Sequence, residues 1–346
     1  MIYFNSDYLE GAHPSIMVRL AETNMVQTVG YGEDEYCEAA REKIKTACQA
    51  PEADVHFLVG GTQTNTTVIA AILRPWQGVI SAVSGHINCH EAGAIESTGH
   101  KVITLPTTNG KITAQQVQDY VEWHRNDEST EHIVQPGMVY ISHPTEGGTL
   151  YTKAELTALY DTCRRYGLPL FIDGARLGYG LMAEESDMTL PEIARLCDVF
   201  YIGGTKVGAL FGEAVVIMNE ALKKDFRFIM KQRGGRMAKG RLLGVQFDAL
   251  FTDDLYFKIS RHAIEMAHQI RDIFVSAGYP LLFDSPTNQQ YPIMPDNELA
   301  ILGKNFGYEY WERVDETHSG VRFCASWATK QEHVDALRAA VNALKK

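Results

Sequence analysis

The sequence predicts an α/β architecture: a mainly parallel central sheet with helices on both faces, followed by a smaller α+β unit. Two observations carry this. From about residue 50 to 220, short continuous apolar runs alternate with amphipathic helical patterns, as expected for strands buried on both faces. After about residue 219 the rhythm changes to longer helical stretches, then short strand-like pieces and a final helix. The chain of 346 residues, 45% apolar and 22% charged, is long enough for one large core and a smaller one.

The elements follow in order. VHFLVG (55–60) precedes the helical TQTNTTVIAAIL, and GVISAV (78–83) leads into HINCHEAGAIE. KVITLP (101–106) is followed by AQQVQDYVEWH, and MVYISH (138–143) by KAELTALYDTCRRYG. LPLFID (168–173), VFYIGG (199–204) and EAVVIM (213–218) complete the strand series. Beyond them ALKKDFRFIMKQ and KISRHAIEMAHQIRDIFVSAG read as helices. QQYPIM, ELAILG and GVRFCA read as strand pieces, and QEHVDALRAAVNALKK as the last helix. The expected division is a large unit over 15–235 and a small one over 236–346, with segment 1–14 near the active site.

The net charge of -11 argues against nucleic acid, whose phosphates need clustered Lys and Arg, and against an anionic membrane surface. A local cationic pocket for a small anion remains compatible with it. The six cysteines are scattered without a CxxC pair, as free thiols of a reducing cytosol would be. The N-terminal MIYFNSDYLEGAHP lacks the pattern of a signal peptide, and no apolar run is long enough to span a bilayer. A cytoplasmic location without membrane contact is therefore expected.

In such sheets ligands bind outside the carboxyl ends of the strands. LPLFID ends in Asp173, and a carboxylate there is costly unless paired. It suits the pyridine nitrogen of pyridoxal phosphate (PLP), which must stay protonated to draw electrons; a metal ligand or an ordinary polar strand end is the alternative. VFYIGG runs into Thr205 and Lys206, 33 residues beyond Asp173. A desolvated lysine has a depressed pKa and is a competent nucleophile toward an aldehyde; a surface loop lysine or a phosphate-binding lysine is the alternative. Gly60, Gly61 and Thr62 open a helix whose N–H groups could receive a phosphate, or form a tight turn with Thr62 as cap. His86 and His90 are four apart, either a metal pair or, preferably, His86 flat against a pyridine ring, since HExxH and a third ligand are missing. His143 at the end of MVYISH is an acid–base candidate. Arg176 and Arg322 could each fork onto a carboxylate, or serve in structural salt bridges.

The ordered set of Ser6-Asp7, YGED (31–34), GGTQTN (60–65), GHINCHEAGAIE (85–96), HPTEGG (143–148), IDGAR (172–176), GGTK (203–206) and VRF (321–323) resembles the threonine aldolases. These belong to the β-eliminating lyase group of aspartate-aminotransferase-like (fold type I) PLP enzymes. The resemblance covers nearly the whole chain. It implies that Lys206 carries PLP covalently as a Schiff base, Asp173 pairs with its ring nitrogen, Gly61 and Thr62 hold its phosphate, and His86 stacks on the ring. It implies that Ser6, Arg176 and Arg322 hold the substrate carboxylate, and that His86 or His143 takes the β-hydroxyl proton. It further implies a homodimer or homotetramer with shared active sites, where Arg236, Lys239 or Arg241 reaches a phosphate across a subunit boundary. No metal is implied. His90 replaces a frequently aromatic position, which bears on the β-substituent.

The activity so implied is retro-aldol cleavage of a small amino-acid substrate, L-threonine or L-allo-threonine, to glycine and acetaldehyde. β-Elimination or transamination on the same scaffold is the alternative, because fold does not settle which bond breaks. A cofactor-free α/β binding module would instead be colourless.

Overall fold

The computed structural model describes residues 1–345. The elements run β1 (Ile2–Tyr3), α1 (Pro14–Thr23), α2 (Glu35–Cys48), β2 (Asp54–Leu58), α3 (Gly61–Ile72), β3 (Gln77–Ala82), α4 (His86–Cys89), β4 (Val102–Leu105) and α5 (Ala114–Asn126). Next come β5 (Gln135–Ser142), α6 (Lys153–Tyr166), β6 (Leu170–Asp173), α7 (Leu177–Met182), α8 (Leu190–Arg195), β7 (Val199–Gly203) and β8 (Glu213–Ile217). The C-terminal third holds α9 (Phe226–Gln232), α10 (Arg241–Leu250), α11 (Leu255–Ser276), β9 (Gln289–Gln290), β10 (Ile293–Pro295), α12 (Asp296–Leu302), β11 (Phe306–Gly307), β12 (Glu309–Arg313), β13 (His318–Cys324) and α13 (Gln331–Leu344).

Seven strands form the central sheet in the order β2-β8-β7-β6-β5-β3-β4. The pairs from β7 to β4 are parallel, and β8 runs antiparallel to both neighbours. The apolar runs are continuous because both faces are covered. Ile141, Ile172, Phe200 and Val216 point into one core, and Tyr140, Phe171, Val199 and Val215 into the other. Helices start where the sequence offers reciprocal caps, Thr113 with Gln116 before α5 and Thr152 with Glu155 before α6.

Two expectations change. ELAILG is helical: Asp296 and Glu298 sit in the first turn of α12 after Pro295, and acidic residues favour a helix start. HINCHEAGAIE holds only the short α4, because Ala92 and Gly93 take positive φ and break it. The hydrophobic clusters divide along α11. α10 and the first half of α11, up to Ile264, pack into the large core, whereas Met266, Ile270 and Phe274 of α11 pack with β13 and α13. The change of core thus falls within α11. The N-terminal segment joins the second core: β1 pairs with β11, and Phe4 packs on Phe306 and Phe323.

All six cysteines are free, and only Cys89 is exposed. No helix among the described residues is long and apolar enough to cross a membrane.

Candidate active site

Strands β2, β3, β5, β6 and β7 all present their carboxyl ends at one sheet edge, and a cavity of about 660 Å³ opens there. Its wall brings together Gly60, Gly61, Thr62, His86, His90, Asp173, Arg176, Lys206 and Arg322, and adds Glu146, Tyr201 and Glu213. Most residues singled out along the sequence therefore meet in one place.

Asp173 is 4% exposed at the end of β6. Its Oδ2 accepts from Tyr140 Oη at 2.6 Å and Asn65 Nδ2 at 3.1 Å, and its Oδ1 from Tyr201 Oη at 2.5 Å and Ala175 N at 3.0 Å. Burial pushes its pKa up. The charge on His86 and the donors from Tyr140, Tyr201 and Ala175 outweigh that, so the carboxyl is held below its ordinary range. An ionised carboxylate on a cavity wall matches what a protonated pyridine nitrogen requires.

Lys206 follows β7, the strand next to β6, as the spacing required. Its backbone carbonyl is held by Tyr179 Oη at 2.5 Å. Its ammonium makes no ion pair among the described residues, and burial, helped by Arg176, lowers its pKa. Glu213 lies nearby, with Oε1 accepting from Thr205 Oγ1 at 2.8 Å and Oε2 from Gly204 N at 3.0 Å. Burial raises its pKa to about 8. It reaches this edge because β8 runs backwards, which places its first residue beside Gly203.

The N-terminus of α3 has no side-chain cap: Gly60 is the extended cap residue, and Thr62 stands one position past Gly61 inside the helix. The leading N–H groups are thus left for an anion. A Cβ on Gly61 would come 3.2 Å from Tyr201 Oη, so glycine keeps this approach open.

His86 Nδ1 lies 2.8 Å from Glu91 Oε1, which also accepts from Asn65 Nδ2 at 2.7 Å. Burial lowers the pKa of His86, but the Glu91 hydrogen bond and Asp173 raise it further, leaving it above its ordinary value. The His90 ring is 5.6 Å from that of His86, and its pKa is lowered by burial and by His86. The two histidines share one turn, and His86 Nδ1 is held by Glu91.

Three expected residues sit differently. His143 is 1% exposed and stands off the cavity wall; its Nδ1 accepts from Tyr151 N at 3.4 Å, and burial drives its pKa down to about 4. The strand ends one residue earlier and turns its ring inward, where its buried Nε2 has no partner among the described residues. Ser6 is buried and is not part of the wall; its neighbours act instead, as Asn5 O accepts from Arg322 Nη2 at 2.9 Å and Asp7 takes Arg176. Arg241 donates to Thr23 O at 2.6 Å and Asn24 O at 2.8 Å, closing the end of α1, and so is removed from the candidates for a neighbouring phosphate.

Arg176 meets Asp7 through Nε at 2.7 Å and Nη2 at 3.0 Å, and its Nη1 is uncommitted among the described residues. Arg322 donates to Gln289 Oε1 at 3.2 Å, while its buried Nε has no partner. An orphaned guanidinium donor beside a cavity calls for an anionic ligand.

Asn65, Glu91, Tyr140, Tyr201, Glu146 and Glu213 were not anticipated. Asn65, Glu91 and Glu146 lie within the motifs GGTQTN, GHINCHEAGAIE and HPTEGG, where a signal existed. Tyr140 and Tyr201 looked like ordinary apolar strand residues. The ensemble fits PLP and an amino-acid substrate: a lysine amine, a carboxylate to accept from the ring nitrogen, a glycine-opened helix start and two arginines are the groups required.

A match to the β-eliminating lyase family spans residues 4–341. The chain is 29% identical over 337 residues to a low-specificity L-threonine aldolase of Pseudomonas aeruginosa, covering 96% of this chain and 95% of that one. Its structure is similar to that of a Leishmania major threonine aldolase, with a TM-score of 0.97, 42% identity and complete coverage of both chains. A histidinol-phosphate aminotransferase of Clostridium acetobutylicum, 12% identical, shares the fold with a TM-score of 0.75, covering 100% of this chain and 99% of that one. The aspartate-aminotransferase-like architecture, the PLP-fitting cavity and these relationships lead to one assignment: the chain belongs to the β-eliminating lyase family of PLP-dependent enzymes.

Proposed function

We propose that this enzyme cleaves β-hydroxy-α-amino acids, L-threonine and L-allo-threonine, to glycine and acetaldehyde. The observation that carries it is the meeting of Lys206, Asp173, Arg176 and Arg322 on one cavity wall in a chain related end to end to threonine aldolases.

Lys206 Nζ is the group that would hold PLP covalently, with Asp173 at its ring nitrogen, Gly61 and Thr62 at its phosphate and His86 against its ring. When bound, PLP supplies the sink for the electron pair released as Cα–Cβ breaks. The chain's own residues do the rest. Arg322, through Nε, and Arg176, through Nη1, orient the substrate carboxylate, and this sets which bond at Cα stands ready to break. Asp7 holds the Arg176 fork in place. Tyr140 and Tyr201 donate to Asp173 and keep it charged.

The same reading extends to location and assembly. The enzyme acts in the cytoplasm as a homodimer or homotetramer. Arg236, which pairs with Glu33 at 3.1 Å, or Lys239 is offered to a neighbouring subunit's phosphate. Within each chain a large unit ending in α11 carries the cofactor, and the remainder with segment 1–14 forms the small unit.

Lys206→Ala tests the assignment. The variant is expected to lack the visible absorbance that borohydride bleaches and to form no aldehyde; wild-type turnover in it would refute the role. Glycine and aldehyde appearing together from threonine or phenylserine support aldol cleavage. Pyruvate with ammonia from serine would replace it by β-elimination.

A further inference from the structure

We propose that Glu146 takes the β-hydroxyl proton of the substrate through its free Oε2, a role that rests on the reading of this cavity as a site for β-hydroxy-α-amino acids. Glu146 stands four residues past Ser142, in the turn that follows β5, and lies on the cavity wall. Its Oε1 accepts from Ser142 Oγ at 2.6 Å and from His86 N at 2.9 Å. Both donors fall on one oxygen, and Oε2 has no partner among the described residues. The turn is pinned from the second unit, since Glu146 O accepts from Tyr291 Oη at 2.9 Å and Gln289 Nε2 at 3.3 Å. The carboxyl is thus aimed and held, with one oxygen left for a ligand.

The other groups on the wall are less suited. Asp173 and Glu213 accept hydrogen bonds on both oxygens. His86 Nδ1 is engaged with Glu91, which raises its pKa and makes it a poorer proton acceptor. His143 is off the wall. Lys206, Arg176 and Arg322 are cations or reserved for the cofactor. His90 is the one competitor, but it is exposed to solvent and its ring has no hydrogen bond among the described residues that fixes its orientation. The groups facing Glu146 are Ser142 and Tyr140 of β5, His86 of α4, Asp173 of β6 and Tyr151 beyond the turn. Burial raises its pKa, Ser142 and the backbone oppose this, Asp173 adds to it and His86 subtracts, for a net rise. A carboxylate so raised is a stronger base near neutrality.

The step balances. The β O–H bond breaks and its proton goes to Glu146 Oε2. The oxygen forms C=O as the Cα–Cβ bond breaks, and the released electron pair would be taken up by the sink that PLP supplies when Lys206 and Asp173 hold it. In the reverse direction Glu146 returns the proton to the nascent alkoxide.

Glu146→Gln in the holoenzyme tests this, because the amide oxygen still accepts from Ser142 and His86 while proton transfer to it is lost. Cleavage of threonine is expected to fall at least about 100-fold, the usual scale of a lost general base. Exchange of the α-protons of glycine in D₂O uses the same cofactor and carboxylate site but no β-hydroxyl, and should stay within about threefold. A carboxyl C=O infrared band that titrates in the cofactor-free protein should vanish in the variant. Cleavage retained within about threefold, or glycine exchange falling by the same factor as cleavage, would overturn the assignment. So would a selective cleavage loss in His90→Asn with Glu146→Gln active, which would give the proton to His90. A wild-type enzyme that exchanges glycine but releases no aldehyde would instead bring down the aldolase reading itself.

Discussion

Asp7→Asn removes the charge opposite Arg176 while keeping the side-chain shape. Asp7 is 0% exposed, and two of its contacts come from the Arg176 fork and one from Asn288 Nδ2 at 2.8 Å. Burial alone would raise its pKa, but Arg176, Lys206 and the hydrogen bonds bring it from 3.8 down to about 2. At 1.36 kcal/mol per tenfold change in proton affinity, that depression corresponds to roughly 2.4 kcal/mol of native-state stability at neutral pH. The variant also leaves Arg176 buried without a partner charge, which moves the loss toward about 3–5 kcal/mol. With about 2.1 cal/mol/K of unfolding entropy per residue, the smaller figure lowers Tm by roughly 3 °C. The sign follows from the depressed value. The contribution is complete above the ordinary carboxyl range and is lost as pH falls through the folded value, so about half of it is gone by pH 3. Denaturant unfolding of the two cofactor-free proteins at pH 7 and at pH 3 measures this. A gap that is absent at pH 7, or as large at pH 3 as at pH 7, would refute the ion-pair argument.

Other perturbations follow from the same geometry. Arg322→Lys replaces a fork by a point charge and cannot supply the orphaned Nε donor, so KM for the amino acid should rise about tenfold or more with a smaller change in kcat; steady-state kinetics at saturating PLP decide it. Gly61→Ala places a methyl group 3.2 Å from Tyr201 Oη, which cannot yield without loosening its bond to Asp173; fluorescence titration should show PLP affinity weakened by about tenfold, and unchanged affinity would remove Gly61 from the phosphate site. Asn65→Ala leaves Glu91 and Asp173 buried without their shared donor and should cost about 1–3 kcal/mol by denaturant unfolding, together with a shift in the visible absorbance of the holoenzyme.

How much was legible follows from particular residues. Lys206 and Asp173 could be read because each ends a continuous apolar run, and an ionisable group there demands a partner. Arg322 was legible as a charge within a strand pattern. Glu213 was not, because EAVVIM was read as one more strand of the series, and the start of a parallel strand lies at the far edge of the sheet. Only the reversed direction of β8 brings it beside Lys206. For His143 the carboxyl end of β5 was legible, but not the turn that places its ring off the cavity wall. Glu146, four residues from a strand end, carried no periodicity at all.

The sequence by itself determined the layered α/β core and singled out Lys206 and Asp173 at adjacent strand ends, where the cavity lies. These depend on hydrophobic periodicity and on the cost of burying charge, both of which are local. The tertiary structure decided strand order, the direction of β8, the core boundary within α11, and which of several carboxylates and histidines keep a free lone pair in the cavity. Those depend on distances and hydrogen-bond partners between segments as far apart as Asp7 and Arg176, and no local pattern encodes them.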